Sequence, residues 1–121
     1  MKEIIRKIRK LAIAGKYNEA LELLETIPKQ YMTSDMWVKR GIYMQLGDGT
    51  DTYSLADAKE SFKRAIALNP NNVEAMIELG YFLYAVEDNA IDAKRHFRKA
   101  VNLLSKLNNE ALSGIKKCVE E

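Results

Sequence analysis

Apolar residues recur along the chain at intervals of three and four, which is the spacing of one face of an α-helix. Ile4, Ile8 and Leu11 mark the first such face, and the same intervals return in the later segments. No segment shows sustained alternation of apolar and polar residues, the pattern of a half-buried β-strand. The sequence therefore predicts an all-α protein of roughly seven helices joined by short loops.

Residues that stop and start helices fall between these segments. The only two prolines, Pro28 and Pro70, each follow a helical run, where a helix is expected to end. Side chains that can accept hydrogen bonds from free backbone N–H groups precede three helical stretches, and the candidate N-caps are Ser34, Ser54 and Asn71 or Asn72. Asp57, three residues after Ser54, predicts a variant of the capping box with Asp in place of Glu.

A pair of helices repeats along the chain with a period of roughly 35 residues. The second helices share one spacing of small and large residues, namely Ala20/Leu24/Ile27, Ala58/Phe62/Ala65 and Ala93/Phe97/Ala100. The first helices align in the same way, as Ile4/Ile8/Leu11, Trp37/Gly41/Met44 and Met76/Gly80/Leu83. We expect the glycines to let paired helices approach closely and the aromatic rings to fill the gaps between them. One hairpin cannot bury its apolar face alone, so the repeat predicts stacked hairpins with a shared core.

This combined pattern resembles the tetratricopeptide repeat (TPR), whose motif runs W-x2-L-G-x2-Y and then A-x3-F, A and P. The second repeat carries Trp37, Gly41, Ala58, Phe62, Ala65 and Pro70, and the third carries Met76, Leu79, Gly80, Leu83, Ala93, Phe97 and Ala100. The first is degenerate and keeps Gly15, Tyr17, Ala20 and Leu24. The chain departs from the motif at Arg40, where Leu is usual, and at Ser105, where Pro is usual.

The resemblance covers about residues 2–105 and implies an α-solenoid, a right-handed superhelix of helix-turn-helix hairpins. It divides a single domain, 1–121, into a degenerate repeat 1–32, a second repeat 33–70 with an extended turn, and a third repeat 71–105. The remaining segment, 108–121, is interpreted as an amphipathic capping helix that covers the last hairpin.

Composition narrows the functional classes only slightly. The formal net charge of +2 is too small to indicate a nucleic-acid partner, and the basic residues near the N-terminus are interpreted as a solvated helix face. The single cysteine, Cys118, cannot form an internal disulfide, which favours a reducing compartment. No apolar run approaches the length of a membrane span, and the first residues lack the apolar stretch of a signal peptide. We therefore expect a cytoplasmic protein without a membrane or nucleic-acid partner.

The stretch "GDGTDT" is the most ligand-like segment of the chain. It does not fit an EF-hand, because Lys59 stands where the twelfth ligand requires Glu, and it has neither the ending nor the preceding strand of a phosphate loop. We interpret the 47–53 loop as an extended turn, with a partner contact and a weak cation site as the alternatives. His96 is the only histidine, so no metal site, cofactor or catalytic constellation is expected and the protein is predicted not to be an enzyme.

The functional prediction rests on one face of the first helices. In TPR folds this face lines the concave groove, and here it would be largely apolar and aromatic, as interaction sites often are. The predicted partner-binding residues are Ile5, Arg9, Val38, Lys39, Ile42, Glu74, Ile77, Glu78, Tyr81 and Tyr84. The resemblance implies a non-catalytic protein-interaction module or adaptor that docks a partner peptide or helix. The alternative is a homo-oligomer, a self-associating assembly protein that uses the same face.

One known use of the family is not expected in this chain. Chaperone-binding members hold a C-terminal carboxylate with a clamp of Lys, Asn and Arg. The aligned places here hold Ile5, Arg9, Lys39, Glu74 and Glu78, so two are acidic and one is apolar. The chain is therefore predicted not to bind the tails of the Hsp70 and Hsp90 chaperones.

Overall fold

A computed structural model describes residues 1–48 and 53–120, and this part of the chain is helical without any strand. The helices are α1 (Lys2–Ile13), α2 (Tyr17–Glu25), α3 (Ser34–Leu46), α4 (Leu55–Leu68), α5 (Val73–Ala85) and α6 (Ala90–Glu120), with a short 3₁₀ turn at Lys29–Tyr31. The prediction of an all-α protein is confirmed. Most of the predicted extended turn, residues 49–52, lies outside the described residues.

The helices stack in chain order, because each packs against the next and α3 also packs against α5. One cluster of buried residues joins α1, α2 and α3 and includes Ile8, Leu24 and Trp37. A second cluster joins α4, α5 and α6 around Phe62 and Leu79, and Ile42 and Ile66 pack against both clusters. The core is thus continuous along the stack, as expected for helical hairpins that share their apolar faces.

Two glycines allow the helices of a hairpin to meet closely. A Cβ atom on Gly41 would lie 2.5 Å from Cε1 of Phe62, and one on Gly80 would lie 2.7 Å from Cε1 of Phe97. Both distances are shorter than normal contact between carbon atoms. The prediction that these glycines let the two helices of a hairpin approach closely is therefore confirmed, and the space is occupied by the aromatic ring of the second helix.

The helix caps agree with the sequence at two of three positions. Ser54 and Asp57 form a reciprocal capping box on α4, and Asn72 caps α5 by accepting a hydrogen bond from the Ala75 N–H at 3.1 Å. The prediction that Ser34 is the N-cap of α3 is wrong, because Thr33 holds that position and accepts the hydrogen bond from the Met36 N–H. The Ser34 hydroxyl instead donates to the Ala65 carbonyl at 2.7 Å, which ties the start of α3 to the end of α4.

Arg40, the departure from the repeat motif, occupies a largely buried polar position between three helices. Its Nε donates to Oε1 of Glu25 at 2.6 Å, and its Nη1 donates to the hydroxyl of the fully buried Ser61 at 2.7 Å. Burial raises the pKa of Glu25, but the hydrogen bonds and charges of Arg40 and Lys29 together outweigh it, and the pKa is lowered from 4.5. Arg40 therefore replaces an apolar contact with an ion pair that joins α2, α3 and α4.

The separate capping helix predicted at 108–121 is not formed, because α6 runs without a break from Ala90 to Glu120. The residues around the expected break, LLSKLNNE, contain neither Pro nor Gly, so nothing in them stops a helix that is already under way. From Leu104 to Val119 every side chain is exposed. This segment therefore projects beyond the last hairpin and does not cover it.

Candidate interaction surface

The largest concentration of predicted partner-binding residues lies in a cleft between α1 and α3. The cleft has a volume of about 230 Å³, and α1 contributes Ile5, Ile8 and Arg9 to its lining. Across from them, α3 contributes Lys39 and Tyr43, while Leu24 of α2 and Ile27, just after α2, complete the apolar lining. The site thus combines an apolar floor with two basic side chains, Arg9 and Lys39, and one acidic side chain, Asp35.

The acidic members of the predicted set lie next to this cleft on α5. Lys39 Nζ is 3.2 Å from Glu74 Oε1, an ion pair between α3 and α5 in which both side chains remain about half exposed. Burial and the neighbouring Glu74 raise the pKa of Glu78, and Lys39 offsets this only in part. A further carboxylate would meet unfavourable charge here, since a partly buried anion already stands beside a second anion.

Tyr43 was missed as a site residue by the sequence reasoning. Its ring is buried and stacks on Tyr17 of α2 with centroids 6.0 Å apart, and burial raises the pKa of its hydroxyl. Because Tyr43 follows Lys39 by four residues, both lie on the same face of α3. That spacing was available in the sequence, but the motif alignment gave the groove face to Val38 and Ile42 instead.

Val38 is therefore a correction to the predicted groove. It is 0% exposed and belongs to the first core cluster, so its side chain is not available to a partner. Ile42 is half-buried and packs against both core clusters, and Ile77 is also half-buried. The reason is that α3 lies between two neighbours, and the face exposed in an isolated hairpin is partly covered when hairpins stack.

Tyr81 and Tyr84 lie on a different surface, toward α6. Both side chains are 60% exposed. Tyr81 meets Phe97 edge to face with centroids 5.0 Å apart, and Tyr84 and Phe97 line a second cleft of about 390 Å³. The other lining residues of this cleft come from α6, and three are apolar while three are polar: Ala90, Ala93, Val101, Lys94, Arg98 and Asn102. The predicted site is thus divided between an α1–α3 cleft and an α5–α6 cleft.

The other two residues considered from the sequence are His96 and Cys118, and both lie on α6. His96 is half-buried, and its Nδ1 lies 2.9 Å from the Asp92 carbonyl one turn earlier in α6. Cys118 is exposed on α6 as a free thiol. In residues 1–48 and 53–120, no three His, Cys, Asp or Glu side chains are grouped as a metal site would require. Over the same ranges no helix combines the length and the apolar character needed to cross a membrane.

These helices and clefts define a TPR-like helical repeat fold. A similar solved structure is MamA 41-end from Desulfovibrio magneticus RS-1, which matches with a TM-score of 0.70 at 22% sequence identity. The match covers 85% of this chain and 55% of that chain, so this chain spans little more than half of its structural neighbour. No protein-family model matches the chain, and no curated protein sequence does either. At this identity the likeness establishes the fold alone, and the number and boundaries of the repeats stay predictions.

Proposed function

We propose that this chain is a non-catalytic protein-interaction module that docks a partner segment in the α1–α3 cleft. The observation that carries the proposal is the composition of that cleft, where Ile5, Ile8 and Tyr43 form an apolar floor beside Arg9 and Lys39. Helical repeat proteins present concave surfaces of this kind to other proteins. Apolar anchors supply most of the binding energy at such sites, and charged rims supply selectivity.

The charges describe the partner that would fit. A segment with an apolar side chain for the floor and an acidic residue toward Arg9 would be attracted to the α1 side. On the α5 side, Glu74 already pairs with Lys39, and Glu78 lies beside it. A terminal carboxylate near Glu74 and Glu78 would be repelled, so we do not expect the Hsp70 or Hsp90 tails to bind.

The test begins with affinity capture from native cells and identification of the captured protein by mass spectrometry. The affinity of that purified partner is then measured by titration calorimetry for a cleft variant, Arg9→Glu with Ile5→Asp. We expect a loss of at least about tenfold, because a charge on the apolar floor and a reversed rim charge both oppose docking.

Two controls separate the cleft from the rest of the molecule. Lys63→Glu reverses the charge of an exposed side chain on α4, away from the cleft. This variant is expected to bind the partner with an affinity within about twofold of wild type. Tyr81→Ala with Tyr84→Ala tests the α5–α6 surface separately. Circular dichroism verifies that each variant keeps its helical content. Wild-type affinity in the Ile5 and Arg9 variant would remove the basis for the cleft as the docking site.

A second candidate function is self-association through the first-helix face. The exposed Tyr81 and Tyr84 favour it, because two aromatic side chains at 60% exposure next to an apolar cleft are costly to leave in water. Light scattering over a range of concentrations, with Tyr81→Ala as the comparison, tests it. A dimer that weakens in this variant supports self-association by that face, whereas a dimer of unchanged affinity contradicts it.

A further inference from the structure

The outer side of the last hairpin is less covered than the matching side of the hairpin before it. In the repeat alignment α6 corresponds to α4, so that Val101 takes the place of Ile66. Ile66 is half-buried and packs against both core clusters, because α5 lies along this side of α4. Val101 is 59% exposed and lines the open cleft of about 390 Å³ between α5 and α6. The α5–α6 cleft is therefore the place where a further helix of the stack would lie.

The junction between α4 and α5 shows the charge of a helix that covers this side. Lys59, near the start of α4, pairs through its Nζ with Oε2 of Glu87 at 2.6 Å, and Glu87 lies two residues beyond the end of α5. The start of α4 is thus beside the end of α5, so the two helices run antiparallel. Lys94 is the residue of α6 that corresponds to Lys59. A helix that lay on α6 in the same way would bring an acidic end to Lys94.

The α6 side of the cleft is basic. The segment from position 93 to position 109 contains no acidic residue and five basic ones, namely Lys94, Arg95, Arg98, Lys99 and Lys106. Two of them, Lys94 and Arg98, line the cleft. None of the ion pairs formed within residues 1–48 and 53–120 includes either side chain. An apolar surface bordered by two such cations attracts an apolar segment that carries negative charge.

The charge of α1 disfavours a second copy of this chain as the occupant. Among the described helices, α1 is the one without a second helix before it, so it would take the covering position if two copies stacked head to tail. Between Lys2 and Ile13 it carries five basic residues and one acidic residue, Glu3. Its charges would oppose those of Lys94 and Arg98. A nucleic acid would match the charge, but its phosphate backbone would not use the apolar lining.

We propose that the α5–α6 cleft binds an acidic amphipathic helix of another protein, laid antiparallel along α6 as α5 lies along α4. Apolar side chains of this helix cover Phe97 and Val101, and acidic residues near its C-terminal end pair with Lys94 and Arg98. This surface is separate from the α1–α3 cleft, so the inference does not rest on the docking site proposed above. It includes Tyr84, which the self-association alternative also uses, so the experiment has to separate the two.

The probe is a synthetic peptide with the sequence of residues 72–88, NVEAMIELGYFLYAVED, which contains the helix that covers α4 in the stack. It carries four acidic residues and no basic one. Its binding to the whole 121-residue chain is measured by fluorescence anisotropy of the labelled peptide. We expect saturable binding with a dissociation constant below about 1 mM, which weakens as salt is added.

Charge reversal tests the pairing directly. Lys94→Glu with Arg98→Glu should weaken binding of the peptide by about tenfold or more, because both cations of the cleft become anions. The matched control is Lys106→Glu with Lys116→Glu, which reverses two exposed charges of the same helix beyond the cleft and should bind within about twofold of wild type. Circular dichroism verifies the helical content of both variants.

Exchanged charges provide the sharper comparison. A peptide with Glu87→Lys and Asp88→Lys should bind wild type weakly, and should bind the Lys94→Glu, Arg98→Glu chain about tenfold more tightly than it binds wild type. A loss of folding cannot produce this recovery, since only direct coupling between the two sets of charges restores affinity.

Three results would overturn the proposal. The first is the absence of saturable binding, or an equal affinity in the cleft variant and its matched control. The second is a concentration-dependent dimer, detected by sedimentation equilibrium without peptide and abolished by Lys94→Glu with Arg98→Glu, which would assign the cleft to a second copy. The third is tighter binding of a single-stranded oligonucleotide than of the peptide, lost in the same variant, which would assign the cleft to a nucleic acid.

Discussion

Replacement of Gly41 by alanine is expected to destabilise the protein, although the same substitution usually stabilises a helix. The added Cβ would lie 2.5, 2.7 and 2.9 Å from three ring atoms of Phe62. That ring is 0% exposed, so it cannot swing into solvent. Overpacking of a core costs about 2–3 kcal/mol in such a position, and alanine gains about 1 kcal/mol in helix propensity. The net loss is about 1–2 kcal/mol.

Two other glycines provide matched comparisons for the same substitution. At Gly80 the Cβ would lie 2.7 Å from Phe97, which is only half-buried and can move more readily, so a smaller loss is expected. At Gly114 nothing lies within 4 Å, and alanine should leave stability unchanged or raise it by up to about 1 kcal/mol. The predicted order of stability is Gly114→Ala, then wild type, then Gly80→Ala, then Gly41→Ala.

Urea denaturation followed by circular dichroism measures this order, and the melting temperature of Gly41→Ala should fall by about 4–8 °C. A second substitution, Phe62→Leu, should be less costly in the Gly41→Ala background than in wild type, because the smaller side chain relieves the contact. If Gly41→Ala is as stable as wild type, the close packing of α3 on Phe62 is not what requires glycine there.

Three further predictions concern the polar contacts of the core and its ends. Arg40→Met should lower the free energy of unfolding by roughly 2 kcal/mol in a urea titration, because Glu25 keeps only Lys29 as a charged partner and the buried Ser61 hydroxyl loses the hydrogen bond that it accepts; an unchanged midpoint would refute this. The folded-state pKa of Glu25 lies below 4.5, so the stability from its ion pair with Arg40 is fully present above about pH 4.5 and is lost as the pH falls below that value. Glu25→Gln should therefore flatten the dependence of unfolding free energy on pH below about 4.5. Ser54→Ala should lower the free energy of unfolding by about 1 kcal/mol, because it removes the N-cap of α4. The control is Ser105→Ala, on an exposed helical surface, which should leave thermal stability nearly unchanged.

The candidate site was only partly predictable from the sequence. The motif alignment placed Ile5, Arg9 and Lys39 on one surface, and the α1–α3 cleft contains all three. The motif alignment also placed Val38 on that surface and missed Tyr43. The helical period gives the angle between two residues on one helix, but it does not show which side of that helix faces a neighbouring helix. A rotation of α3 by about one residue, 100°, is enough to exchange a buried side chain for a lining one.

The sequence by itself determined the local structure and the pairing of helices. Periodic apolar residues and the capping residues around Ser54 act over short stretches, so they can be seen without coordinates. Only the tertiary structure decided which faces are covered. The burial of Val38 and the ion pair of Arg40 with Glu25 both depend on how separate helices meet. Such contacts join residues far apart in the chain, and a one-dimensional pattern does not record the distances between them.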